Sequence, residues 1–325
     1  MQALVLEQSD GKTVAAIKQF TSDDLPAGDV TVDIAWSSLN YKDALAITGK
    51  GKIIRQFPMV PGIDFAGKVR HSEDPRFQAG QSVLLTGWGV GENHWGGLAE
   101  QARVKADWLV PMPESLDARR AMIIGTAGFT AMLCVMALEA GGITPQSGDI
   151  LVTGASGGVG STAVALLSAL GYQVVAVSGR ESTHDYLHEL GAKTILPRSE
   201  FSGETRPLDK QRWAGAVDTA GGSVLASVLA QMHYSGVVAA CGLAGGVNLP
   251  ATVMPFILRN VRLQGIDSVN TPAARRIEAW ERIVKTLPAT FYQQATREVS
   301  LTEAADSAAR LLNNEITGRT LVRIR

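Results

Sequence analysis

Cysteine is almost absent from these 325 residues, with Cys134 and Cys241 the only two. They lie far apart in the chain, each in an apolar run. The expectation is therefore buried, reduced thiols rather than a disulfide, as in a cytoplasmic protein. Charge of one sign is lacking too. Thirty lysines and arginines stand against 31 aspartates and glutamates, a formal net charge of -1, so there is no basic field to attract a nucleic-acid partner. Glycine, serine and threonine interrupt the apolar runs before the roughly 18 residues of a membrane span, so no membrane partner is expected. The opening Met1–Glu7 reads as a strand rather than as a signal peptide. Metal-ligand clusters are missing as well. No cysteine precedes position 134, and none of His71, His94, His184, His188 and His233 stands at metal spacing with a cysteine. His184 and His188 could share a helix face, but exposed helix surface accounts for that spacing, and no metal is expected.

What is present suits two globular domains: 46% apolar and 19% charged residues in a chain too long for one ordinary core. Residues 1–121 alternate short apolar runs with glycine and proline, as in Val30–Ile34, Ser82–Leu85 and Leu98–Ala102, which predicts an antiparallel, barrel-like β domain. The texture changes near Ala121. Six apolar runs then alternate with helix-length segments: Ile150–Val152, Gln173–Val177, Thr194–Leu196, Ala214–Asp218, Val237–Cys241 and Val261–Ile266. Residues 122–266 thus predict an α/β, doubly wound parallel sheet of six strands. Residues 267–325 carry two helices, from Ala273 to Lys285 and from Glu303 to Asn313, and a strand from Arg319 to Ile324. This tail does not extend the sheet pattern and is expected to return to the first domain.

The strongest local signal runs from Ile150 to Gly160, an apolar strand turning into a helix through Thr153-Gly154-Ala155-Ser156-Gly157-Gly158-Val159-Gly160. A pyrophosphate must approach backbone N–H groups at a helix N-terminus, and a Cβ would block it. Gly157 and Gly160 match the second and third glycines of the dinucleotide fingerprint, with Ala155 where the first would stand. Ser156, Gly157, Gly158, Val159 and Gly160 are the candidate cofactor contacts. A glycine-rich loop without a nucleotide is the bland alternative. The next strand ends in Ser178-Gly179-Arg180. An NAD-selective site places a carboxylate there for the ribose 2′-hydroxyl. A hydroxyl and a guanidinium suit a 2′-phosphate instead, and Arg198 after the third strand could join them. NADPH is the expected cofactor.

These residues resemble the medium-chain dehydrogenase/reductase superfamily. Its zinc alcohol dehydrogenases carry Gly-His-Glu near position 62, whereas this chain has Pro61-Gly62-Ile63-Asp64-Phe65-Ala66-Gly67, with Ile63 in the histidine's place. Asn40-Tyr41-Lys42-Asp43 likewise lacks the cysteine ligand. The pattern resembles the zinc-free, quinone-oxidoreductase-like branch, with a GroES-like catalytic domain and a Rossmann domain. Ser38–Leu45, Thr86–Gly97, Ile124–Met132, Thr153–Gly160 and Asn314–Arg319 are similar to the NADPH-dependent acrylyl-CoA reductase family, the YhdH/AcuI group, across the whole chain.

The resemblance implies a cytoplasmic homodimer, paired through Val261–Ile266, that reduces acrylyl-CoA to propanoyl-CoA. It implies that Tyr41, Leu243, Ser268 and Arg319 lie by the cofactor, in a cleft between the domains. Core packing is the alternative for Leu243. Hydride would pass to the β-carbon of an enoyl thioester, and Asn40 or Tyr41 would serve the developing enolate. Lys42, Lys50, Lys52 and Arg55 could meet CoA phosphates or simply form a solvated loop. A quinone reductase and a non-catalytic NADPH-binding protein are the competing functions.

Overall fold

The computed structural model describes residues 1–294 and 296–325 and divides into two compact units. Unit 1 comprises Met1–Thr126, Ser268–Val284 and Ala295–Arg325; unit 2 comprises Ala127–Asp267 and Lys285–Gln294. The short stretch 285–294 groups with unit 2 rather than with the C-terminal strands of unit 1.

In unit 1 the strand Val30–Leu39 is the organising element. Along one edge it pairs antiparallel with Asp64–Ser72. Along the other, Val30–Asp33 pairs with Gln101–Val104, and Trp36–Leu39 pairs with the C-terminal strand Arg319–Arg323. That last pairing brings position 319 to within reach of residues 38–40. The ladder is antiparallel throughout except for Thr296–Ser300 beside Arg319–Arg323, which is parallel. Its apolar face closes over Val30, Val32, Ile34, Phe65, Val83 and Leu85, the inward alternate positions of half-buried strands. The predicted strand at Leu98–Ala102 begins later, at Gln101. Leu98 instead accepts a backbone bond from Leu4, in the N-terminal hairpin Gln2–Ser9/Lys12–Gln19. Residues 41–48, read as loop, form a helix, Tyr41–Thr48, with Asn40 as N-cap.

Unit 2 is a six-stranded parallel sheet in the order Thr194–Pro197, Val174–Ser178, Ile150–Val152, Trp213–Asp218, Met232–Ala240, Arg262–Gly265. The order reverses between Ile150–Val152 and Trp213–Asp218, so the loops that leave these two strands diverge there and open a ligand position at their carboxyl ends. Strand Val174–Ser178 is buried along its length, which is why it reads as an unbroken apolar run.

The apolar segment 118–140 corrects one expectation. It forms two helical stretches joined at a kink, together long and apolar enough to cross a membrane, and its interrupting glycines and threonines did not prevent that. Yet 89% of its apolar window is buried within the protein, and Gly125 breaks it with φ 50° and ψ -158°. The two cysteines, distant in sequence, meet in unit 2. Cys134 is buried and Cys241 half-buried, both as free thiols. A hydrogen bond with Cys241, reinforced by burial, pushes the Cys134 thiol well above its ordinary range.

Candidate active site

In unit 2, Ile150–Val152 ends in a turn capped by Gly157, from which helix Gly158–Ala169 begins. The turn is tied to the neighbouring strand end. Thr153 Oγ1 donates to the buried Asp218 carboxylate at 2.7 Å, and Thr219 Oγ1 returns a bond to the Thr153 carbonyl at 2.9 Å. Burial raises the Asp218 carboxyl, while the bonds from Thr153, Gly221 and Ala220 oppose that shift.

The glycines of the turn have different reasons to exist. Gly154 has φ 57°, and a Cβ there would strike Thr219 Oγ1. At Gly160 a Cβ would come within 2.7 Å of the Ala155 Cα, so the helix packs on the turn through it. Gly157 has neither reason. Its φ of -82° suits any residue, and a Cβ would meet only the Gly154 carbonyl oxygen, at 3.3 Å. The protein's own packing does not require glycine there. A ligand lying against the backbone N–H groups of the helix start would, and the cradle fits a dinucleotide pyrophosphate.

Beside it, the Arg180 guanidinium donates to Ser156 Oγ at 3.2 Å. The Arg198 side chain lies along Gly179, with Nε 3.5 Å from where a Cβ would sit. Two guanidinium groups thus flank the end of strand Val174–Ser178. Ser178 is arranged differently: its buried hydroxyl is 2.8 Å from Thr183 Oγ1 and also bonds the Arg180 backbone. It shapes the turn that carries Arg180. Leu243 is 57% exposed, so core packing does not explain it. Its loop is held to the strand ends by Gly245 N–H donating to Ala220 O and by close packing of Gly242 on Thr219.

In unit 1 a buried polar hub surrounds Asp64. Its Oδ1 accepts from Ser38 Oγ at 2.7 Å and Ser38 N at 3.2 Å; its Oδ2 accepts from Asn40 Nδ2 at 3.0 Å and Thr126 N at 2.7 Å. Arg319 completes it, donating to Asn40 Oδ1 at 3.0 Å, Ser38 Oγ at 2.6 Å and the Ile123 carbonyl at 2.9 Å. Gly125 is required here: a Cβ would lie 2.6 Å from Arg319 Nη2 and 2.7 Å from Asp64 Oδ2.

Asp43, also buried, accepts from Asn40 N, Gly62 N and Ile63 N. Burial, with the nearby Asp64 charge adding to it, pushes its carboxyl up to about 7. The result is a rigid Asn40 at the head of helix Tyr41–Thr48 and a Tyr41 that is 45% exposed. The Tyr41 hydroxyl makes no hydrogen bond within the described residues.

Ser268 belongs to a second buried staple, also in unit 1. Arg276 is 1% exposed and donates to the carbonyls of Thr271, Thr86, Ser268 and Val269, with the Trp88 ring 4.6 Å away. It fixes loop 268–271 against the end of strand Ser82–Thr86. Sequence reasoning missed Ser38, Asp43, Asp64, Gly125 and Arg276. Only Asp43, three residues after Asn40 in the spacing of a capping box, carried a local signal.

A zinc site does not fit these donors. Ile63 offers none, and the Asp43 and Asp64 carboxylates are engaged by backbone N–H groups, Ser38 and Asn40.

Residues 26–114 match the alcohol dehydrogenase GroES-like domain and residues 158–286 match the zinc-binding dehydrogenase family. A probable acrylyl-CoA reductase, AcuI, of Escherichia coli K12 is 74% identical over 324 residues, covering 100% of each chain. The acrylyl-CoA reductase AcuI of Ruegeria pomeroyi is 54% identical over 98% of each chain. The crystal structure of E. coli K-12 YhdH with bound NADPH superposes with a TM-score of 0.98 at 73% identity, covering 100% of each chain. With its GroES-like and dehydrogenase regions, its Rossmann sheet and these full-length relatives, the chain belongs to the acrylyl-CoA reductase (AcuI) family of the medium-chain dehydrogenase/reductase superfamily.

Proposed function

We propose that the protein catalyses NADPH-dependent reduction of the carbon–carbon double bond of an enoyl thioester, acrylyl-CoA to propanoyl-CoA. The observation that carries this reading is Gly157, a glycine that leaves the start of the helix open to a ligand, with Arg180 and Arg198 beside the turn, in a chain whose relatives include acrylyl-CoA reductases. Bound at Ser156–Gly160, NADPH supplies the hydride for the β-carbon. Arg180 and Arg198 hold the 2′-phosphate by charge-assisted bonds, Ser178 shapes the turn that carries Arg180, and Leu243 and Ser268 line the cofactor.

The reaction places negative charge on the thioester oxygen, and that charge needs a hydrogen-bond donor. Asn40 is already committed: its amide nitrogen bonds Asp64 and the Ser38 carbonyl, and its oxygen accepts from Arg319. Asn40 and Arg319 therefore act as positioning residues. Tyr41, with its hydroxyl available, assists protonation of the enolate.

The protein acts as a cytoplasmic homodimer. Strand Arg262–Gly265 lies at a sheet edge, and the nearby Tyr234, Val253, Ile257 and Leu258 are exposed, an apolar surface suited to a second copy. Light scattering should give twice the 34.4 kDa chain mass. The activity test is NADPH oxidation with acrylyl-CoA, crotonyl-CoA and a simple quinone side by side. Turnover should be fastest with acrylyl-CoA; quinone reduction without thioester reduction would replace this reading.

A further inference from the structure

We propose that Lys50, Lys52 and Arg55 form the site for the phosphate groups of the CoA substrate. The inference rests on the acyl-CoA reading above and concerns the substrate's non-reacting end. All three side chains are exposed, and none forms an ion pair with a described residue. Several other cations of unit 1 are balanced: Lys18 by Glu7, Arg70 by Asp33, Arg76 by Asp74 and Asp107, Arg119 by Glu298. Lys42, in the same basic stretch, is taken by Glu92 at 3.0 Å. Three cations without an ion pair among the described residues, within six positions, therefore concentrate positive charge locally in a chain of net charge -1.

The segment is built rather than loose. Gly49 ends helix Tyr41–Thr48 in a left-handed conformation, and its N–H donates to Ala46 O. Gly51 N–H donates to Leu45 O. Ile53, Ile54 and Phe57 then pack against the core of Leu4, Leu39, Ile47 and Leu98. Apolar residues pin the backbone while Lys50, Lys52 and Arg55 face outward. The two glycine amides and Thr48 Oγ1, which bonds Ala44 O, satisfy helix-end carbonyls, so the lysines are not needed as caps.

The Gly49 turn lies against Thr13, with Thr13 Oγ1 2.8 Å from where a Gly49 Cβ would be. That places the hairpin tip, with the exposed Lys12 and Asp10, beside the patch. Asp43, the acid within the stretch itself, is buried.

The spacing suits CoA. Tyr41 opens a helix of 8 residues and the cations follow its end, a separation of about 12 Å. A pantetheine arm reaches on the order of 15 Å when extended, judged from ordinary bond lengths. A thioester at Tyr41 can thus lay its phosphates beyond Thr48, where lysine and arginine hold them as charge-assisted partners.

The test compares wild type with K50A/K52A/R55A on acrylyl-CoA and on acrylyl-pantetheine, which has the same thioester without the nucleotide phosphates. KM for acrylyl-CoA should rise about tenfold or more, and the effect should shrink at high salt. KM for acrylyl-pantetheine and for NADPH should stay within about twofold. Equal losses on both thioesters, a rise in the NADPH KM, or no change at all would overturn the assignment. Calorimetric titration with CoA, without NADPH or turnover, reads the site independently. If wild type reduces neither thioester, the enzymatic reading fails, while CoA affinity lost in the variant still supports the phosphate site. Equal CoA affinity of wild type and variant removes that site whatever the activity.

Discussion

The turn at 153–160 and the hub around Asp64 are both made of small and polar residues, yet they are written in opposite ways. The turn is contiguous: strand, glycines and helix follow one another within twenty residues. The hub is assembled from Ser38, Asn40, Asp64, Gly125, Thr126 and Arg319, across 281 positions of sequence. The turn is open to a ligand through what it omits, a Cβ at Gly157. The hub works by joining the side chains of Ser38, Asn40, Asp64 and Arg319 in hydrogen bonds, because an unsatisfied buried polar group is costly. Substitutions should therefore separate binding from stability in the first region and damage the frame of the site in the second.

The sharpest separation compares two glycines three residues apart. Gly157→Val should reduce NADPH affinity by more than about a hundredfold with only a small loss of melting temperature, since the one protein atom near that Cβ is the Gly154 carbonyl oxygen. Gly160→Val should instead cost stability, roughly 2 kcal/mol by overpacking against Ala155. Fluorescence titration of NADPH beside thermal melts checks both. Equal effects in the two variants would erase the distinction between ligand-facing and packing glycines.

In the hub, Arg319→Met should cost roughly 3 kcal/mol, because Asn40 and Ser38 lose their buried donor and the Asp64 charge loses its nearby cation. Denaturant melts measure this. A loss confined to NADPH affinity, with stability intact, would assign Arg319 to direct cofactor contact instead.

The same contrast sets how far the sequence could be read. The phosphate turn, Arg180 and the six-strand pattern were legible because their signals are local: periodicity, glycine spacing and the residue at a strand end. Helix Tyr41–Thr48 was missed because its hydrophobic signal is short and its N-cap was read as a site residue only. Asp64 was invisible as a hub because its partners come from the strand pairing of Arg319–Arg323 with Trp36–Leu39, a long-range event with no local mark. The pairing of Cys134 with Cys241 was hidden for the same reason.

Two smaller effects probe chemistry at each region. Arg180→Asp should lower the ratio of NADPH to NADH efficiency by at least about tenfold, replacing a phosphate partner with a repelling charge. Steady-state kinetics with both cofactors decide it, and an unchanged ratio would leave the phosphate to Arg198 alone. Tyr41→Phe should lower kcat about tenfold through loss of the phenol proton. NADPH affinity and melting temperature should hold, because the hydroxyl is bonded to nothing that stabilises the fold. A kcat within twofold of wild type would make water the proton source.

The smallest effect is the pH response of Asp43. Its carboxyl titrates near 7 in the folded protein against an ordinary 3.8, so the folded state holds the proton more tightly. Its stabilising contribution is complete below about pH 4 and is lost as pH rises through about 7. The melting temperature should fall by a few degrees between pH 5 and pH 8, and Asp43→Asn should flatten that fall even though it weakens the cap. An equally steep fall in the variant would place the titration elsewhere.

The reduction itself is tested most directly by isotope transfer. NADPH carrying deuterium at C4 on the transferred face, incubated with acrylyl-CoA and the protein, should give propanoyl-CoA with one deuterium on the β-carbon. Mass spectrometry and proton NMR of the product read its position. No propanoyl-CoA, or propanoyl-CoA without deuterium at that carbon, would contradict hydride delivery to an enoyl thioester.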